Sequence, residues 1–135
     1  MGPIKVNELD HIVLNVSHVD RALEFYTGVL GLAGERVPEY REGKVGFPSV
    51  RINERTVIDL NPKGKRGGEG GKDGGNLDHF CLVMDPVDFG AVLGYLKEKR
   101  VLVKAGPVSR WGARGRATSV YILDPEGNEI ELRCY

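Results

Sequence analysis

Cysteine is scarce in this sequence: Cys81 and Cys134 are the two present in 135 residues. Two thiols cannot build a disulfide scaffold, and this usage suits a cytoplasmic protein with reduced thiols. Net charge is missing too. Nineteen basic residues cancel nineteen acidic ones, which leaves no field to draw nucleic acid or an anionic membrane surface. No apolar run approaches a membrane span, and the opening MGPIKVNELDH lacks an apolar signal core. Tryptophan occurs once and histidine three times. The Gly-rich stretch Lys63 to Asn76, KGKRGGEGGKDGGN, has no Gly-Lys-Ser/Thr ending, so it is not a phosphate-binding P-loop. Without apolar residues it reads as a linker. A chain of this length is expected to form one domain, with roughly two-thirds of its unfolded surface buried.

What is present is a repeat. ELDHIVLNV runs from Glu8 to Val16, and NLDHFCLVM from Asn76 to Met84. Each places Leu-Asp-His before an alternating apolar run. In the first, Ile12, Leu14 and Val16 share one strand face; His11, Val13 and Asn15 share the other. A helix is predicted next in SHVDRALEFYTGVLGL, with Ser17 or Asp20 as cap and Gly31 as stop. Ala22, Phe25, Tyr26 and Val29 fall at helical spacing. Short extended segments are expected near Glu35 to Val37 and Val45 to Ile52, then a strand from Arg55 to Asn61.

The second half repeats this order. A strand over Leu77 to Met84 leads to a helix within Pro86 to Arg100, a short strand near Val101 to Ala105, and two strands joined by the turn Asp124-Pro125-Glu126-Gly127-Asn128. The expected organisation is module one over about 7–62, a linker over 63–76 and module two over about 77–135. The expected class is α+β, a two-copy fold of antiparallel strands covered by helices.

Aligning the halves superposes His11 on His79. Ile58-Asp59-Leu60 and Ile130-Glu131-Leu132 then correspond, the acid lying 48 residues after His11 and 52 after His79. If the apolar faces pack under helices, both His and both acids occupy the opposite faces. A lone strand His is more often structural than a ligand, and a lone acid near a strand end is usually solvated. The duplicated register is what favours function. Two imidazoles with one or two carboxylates can bind a divalent ion such as Fe, Mn, Ni, Co or Zn.

The Leu-Asp-His phrase, the helix ALEFYTGVLGL and the ending YILDPEGNEIEL resemble the vicinal oxygen chelate superfamily. It includes glyoxalase I, fosfomycin resistance enzymes, extradiol dioxygenases and bleomycin resistance proteins. The segment from Gly106 to Tyr135 is also similar to the glyoxalase-domain-containing-protein-5 group. The resemblance implies two tandem βαβββ modules forming a cupped mixed sheet around a metal site. It implies His11, His79 and Glu131 as metal ligands. Asp59 stands where glyoxalase I has a ligating Glu, and is one methylene shorter. It is a ligand, acts through water or acts as a base. Tyr121 matches a substrate-contacting Tyr that can donate to an oxyanion; equally, it is a half-buried strand aromatic.

Departures narrow the reading. Val13 replaces the Thr of the fosfomycin enzymes, and His18, at a helix start, is the only His left for the acid–base role of extradiol enzymes. A glyoxalase-like lyase or isomerase is favoured, with proton abstraction next to a metal-bound carbonyl and one carboxylate as shuttle. The alternatives are an extradiol-type dioxygenase and a non-catalytic small-molecule-binding protein. SRWGARGRAT reads as a solvated loop or a cationic lid, with Trp111 and Arg114 as substrate contacts. Arg133 shares strand parity with Glu131, so it either lines the cup toward an anionic substrate or pairs with an acid. Cys81 is favoured as a small buried hydrophobe. The expected partners are a small-molecule substrate and a second copy in a homodimer, with no nucleic acid and no membrane.

Overall fold

The computed structural model describes residues 2–62, 76–123 and 127–135. The linker up to Gly75 and the Asp124-Pro125-Glu126 part of the expected turn lie outside them. The fold is α+β, with eight strands in mixed pairing among the described residues. Two compact units emerge: residues 11–78, and residues 1–10 with 79–135. Both boundaries fall between the Asp and the His of a Leu-Asp-His repeat. The repeated phrase is thus divided in the same place twice.

In the unit of residues 11–78, β1 (Val6–Val16) contributes its second half. β2 (Ala33–Glu35), β3 (Ser49–Asn53) and β4 (Thr56–Pro62) run in the order β2-β3-β4-β1. β1 and β4 are parallel, pairing His11 with Val57, Val13 with Asp59 and Asn15 with Asn61. Partners in register share a face, so His11 and Asp59 leave this sheet on the same side. The other side carries Ile58 and Leu60, which pack with Val16, Leu23 and Val50 beneath the helix.

That helix differs from the expectation. Its α-helical turn, α1, spans only Val19–Leu23, with His18 rather than Ser17 or Asp20 at the N-cap and no side-chain cap bond. It widens into a π-helical segment, Glu24–Val29. Thr27 Oγ1 donates to the carbonyl of Leu23 at 2.7 Å, competing with a backbone donor for that carbonyl. The wider turn changes the period from 3.6. Ala22 and Tyr26 still reach the core, while Phe25 and Val29 face out. Residues after Glu35 form a short helix, α2 (Val37–Arg41), not the extended segment expected; Pro38 stands in its first turn, where its missing N–H costs nothing.

In the other unit, β5 (Leu77–Met84) contributes residues from His79 on, with β6 (Val103–Gly112), β7 (Gly115–Leu123) and β8 (Glu129–Cys134). Their order is β5-β8-β7-β6. Helix α3 (Phe89–Glu98) begins at Asp88, whose side chain accepts from Ala91 N. Its Val92 and Leu96 pack on Met84, Val120 and Leu132. Ser109 to Thr118 is not the expected loop. Trp111 pairs with Arg116 and Gly112 with Gly115 across a two-residue turn, making the segment a β-hairpin. Gly115, the first residue after the turn, has a positive φ of 102° that glycine adopts without steric cost.

Candidate metal centre

The face of β8 turned away from α3 gathers polar side chains. Parallel pairing sets Cys81 beside Glu131, and antiparallel pairing sets Tyr121 beside Glu131 and Ser119 beside Arg133. His79, Cys81, Ser119, Tyr121, Glu131 and Arg133 are all buried. Such a polar cluster is stable underground only if its groups are paired.

The pairing is specific. His79 Nε2 lies 3.1 Å from Glu131 Oε1. The other carboxylate oxygen, Oε2, accepts from Ser119 Oγ at 2.7 Å and Arg133 Nη1 at 3.0 Å. Two donors therefore hold one oxygen and leave the other toward the imidazole. The Tyr121 ring meets the His79 ring edge-on, centroids 5.6 Å apart. The Arg110 guanidinium lies over the Tyr121 ring, 5.9 Å from its centroid.

Arg133 is fully buried. Its Nη2 donates to the carbonyls of Arg110 and Gly115 at 2.9 and 3.0 Å. Its Nε stands 3.8 Å from Asp10 Oδ2 and makes no hydrogen bond among the described residues. Asp10 accepts from Ala113 N at 2.9 Å and from the Tyr135 hydroxyl at 2.5 Å. Burial works to lower the Arg133 pKa, but Tyr135, Cys81, Asp10 and Glu131 outweigh it and raise the value. Burial pushes the Tyr135 hydroxyl up, and its bond to Asp10 adds to this. Burial also pushes the Cys81 thiol up, reinforced by Glu131 and Asp10. Cys81 is a buried, packed side chain with no disulfide.

In the unit of residues 11–78, His11 and Asp59 are buried. Ser49 Oγ donates to Asp59 Oδ1 at 2.6 Å. Asp78, the second repeat's Asp, accepts from Asn15 Nδ2 at 3.4 Å, and Asn61 donates to Asn15 Oδ1 at 2.8 Å. His18 stands apart at the N-cap of α1. Arg114 pairs with Glu8 at 2.7 Å and stacks on Tyr135 at 4.3 Å. Trp111 is half-buried in the hairpin.

A family model described as the Glyoxalase/Bleomycin resistance protein/Dioxygenase superfamily matches residues 8–132. The chain belongs to that superfamily. It is 30% identical to the virulence protein STM3117 of Salmonella typhimurium, over 96% of this chain and 85% of that protein. It is 27% identical to a probable lactoylglutathione lyase of Synechocystis, over 90% and 91% of the two chains. The solved structure of methylmalonyl-CoA epimerase from Mycobacterium tuberculosis aligns over 99% of this chain and 91% of that one, with a TM-score of 0.65 and 20% identity. That likeness concerns the fold. Superfamily members include metalloenzymes, such as the metallothiol transferase FosB of Staphylococcus epidermidis.

The donor chemistry fits a divalent ion. A buried imidazole nitrogen opposite a buried carboxylate oxygen offers the nitrogen and oxygen donors that such ions take. The bonds on Oε2 are the outer contacts that orient a ligating carboxylate.

Sequence reasoning missed Asp10, Ser49, Ser119 and Tyr135. Strand alternation puts Asp10 on the parity of Ile12 and Leu14, where a carboxylate has no reason to be. Its recurrence as Asp78 was the signal that could have found it.

Proposed function

We propose that this chain is a divalent-metal-dependent enzyme acting on a small oxygenated metabolite by glyoxalase-like lyase or isomerase chemistry. His11, His79 and Glu131 hold the ion. The buried contact between His79 and Glu131 carries the proposal. It is supported by the repeat that makes His11 the counterpart of His79.

When bound, the ion supplies Lewis acidity toward a substrate oxygen. The chain supplies the rest. Glu131 or Asp59 takes the proton next to the substrate carbonyl and returns it to a neighbouring carbon. Ser49 fixes Asp59 through Oδ1, so that carboxylate keeps one orientation. Tyr121, wedged against the His79 ring, donates to the oxygen that gains charge. Arg114 and Trp111, at the hairpin end, face an anionic substrate. The active form is a homodimer in the cytoplasm, with light scattering as the check on its size.

The test is exchange of the α-proton of small hydroxycarbonyl compounds in heavy water, followed by proton NMR on metal-loaded protein. Exchange that disappears in His79→Ala and Glu131→Ala is the expected result. Oxygen uptake with catechols and no exchange would overturn it in favour of a dioxygenase. Ligand binding that survives chelation, with neither reaction, would overturn it in favour of a binding protein.

A further inference from the structure

We propose that Arg133 is a positioning residue of the metal centre, clamping Glu131 together with Ser119 rather than meeting substrate. The inference rests on the reading of His79 and Glu131 as ligands given above.

Arg133 is fully buried, and four acceptors surround its terminal nitrogens. Nη1 reaches Glu131 Oε2 at 3.0 Å and Ser119 Oγ at 3.4 Å; Nη2 reaches two backbone carbonyls at 2.9 and 3.0 Å. The Tyr135 ring covers the guanidinium at 4.7 Å. No face of it is left for a substrate anion. A guanidinium suits this place by its shape. Its planar fork can bond a carboxylate on one nitrogen and two carbonyls on the other, whereas a lysine ammonium is a single point with three donors.

The backbone is cut to fit that fork. A Cβ placed on Gly112 would stand 2.6 Å from Arg133 Cζ and 2.8 Å from Nη2. Gly112 therefore lets the hairpin close over the guanidinium. On the remaining side Asp10 supplies a buried negative charge 3.8 Å from Nε. Asp10 is also bonded through the backbone to His11. The cation that orients one proposed ligand is thus neutralised by the residue preceding another.

The consequence for the centre is directional. With Oε2 held by Ser119 and Arg133, Glu131 cannot swing both oxygens toward one ion, and it offers Oε1 alone. A structural role for Arg133 would cost only stability when lost. A positioning role also changes the ion's affinity and its coordination spectrum.

The experiment uses Co(II) as the probe, added to the full chain freed of metal, with visible absorption for coordination and chelator competition for affinity. Wild type is compared with Arg133→Lys, Ser119→Ala and His79→Ala, each checked for fold by circular dichroism. Arg133→Lys is expected to bind Co(II) about ten- to a hundredfold more weakly, with a shifted absorption band. Ser119→Ala is expected to weaken it by a smaller factor. If wild type and His79→Ala bind alike, the ligand assignment itself fails. If wild type binds, His79→Ala does not, and Arg133→Lys matches wild type in affinity and spectrum, the positioning role alone is overturned. Should Arg133→Lys not fold, Ser119→Ala decides: wild-type affinity and spectrum there would overturn the clamp.

Discussion

Glu131 and Arg133 stand two residues apart on one face of β8, and Arg133 Nη1 donates to Glu131 Oε2 at 3.0 Å. Adjacent strand residues point to opposite sides, while i and i+2 share a side. The pair is therefore written into the sequence Glu-Leu-Arg, with Leu132 facing the core between them. A buried acid and a buried base on one strand stabilise each other only while both remain. Removal of either leaves a charge that water cannot reach.

Asp10→Ala asks the same question of the second carboxylate beside Arg133. The variant leaves the Arg133 cation with one fewer buried carboxylate and deprives Ala113 N of its acceptor. Breaking a buried pair from one side costs about 3–5 kcal/mol. Urea unfolding should show a lower midpoint at an unchanged slope, and Asp10→Asn should fall between the variant and wild type. A loss under about 1 kcal/mol would mean that water reaches the guanidinium.

Gly112→Ala should destabilise through crowding alone. The added methyl meets Arg133 Cζ at 2.6 Å and the Tyr135 oxygen at 2.7 Å. Overpacking of this kind costs about 1–3 kcal/mol. Gly94→Ala, where a Cβ meets nothing within 4 Å, should be stabilising by about 1 kcal/mol because Gly94 lies inside α3. Thermal melts of the two variants should therefore move in opposite directions.

Acid sensitivity should include a contribution from Glu35. Its hydrogen bond with Arg51, at 2.6 Å, holds the carboxyl below its ordinary value of 4.5 against the opposing effect of burial. A lowered folded-state pKa means stability that is present above the ordinary value and lost as pH falls through the folded one. Both side chains are partly exposed, so screening limits the contribution to about 0.2–1 kcal/mol. Glu35→Gln should cost stability at pH 7 and little at pH 2. An equal cost at both would show that shape, not charge, matters at this site.

Much of the fold was legible, because strand period and repetition are local signals. Alternation in β1 and the Ile-acid-Leu triplets placed His11 with Asp59 on one face and His79 with Glu131 on another. The first helix was less legible. Ala22, Phe25, Tyr26 and Val29 keep a period of 3.6 in sequence, but a π turn changes the actual rotation. The hairpin was hidden by its composition. Three arginines and two glycines look like a loop, yet the glycines serve the turn and Arg110, Arg114 and Arg116 occupy strand edges and its tip. Asp10 was hidden because its partners, Ala113, Arg133 and Tyr135, lie more than a hundred residues away. Only folding brings them to it.

Metal content is the most direct test of the central claim that His79 and Glu131 are ligands. Mass spectrometry on tag-free protein should find close to one equivalent of a transition metal in wild type. His79→Ala and Glu131→Ala, both still folded, should retain almost none. A folded wild type that carries no metal, and takes none up on titration, would contradict the account.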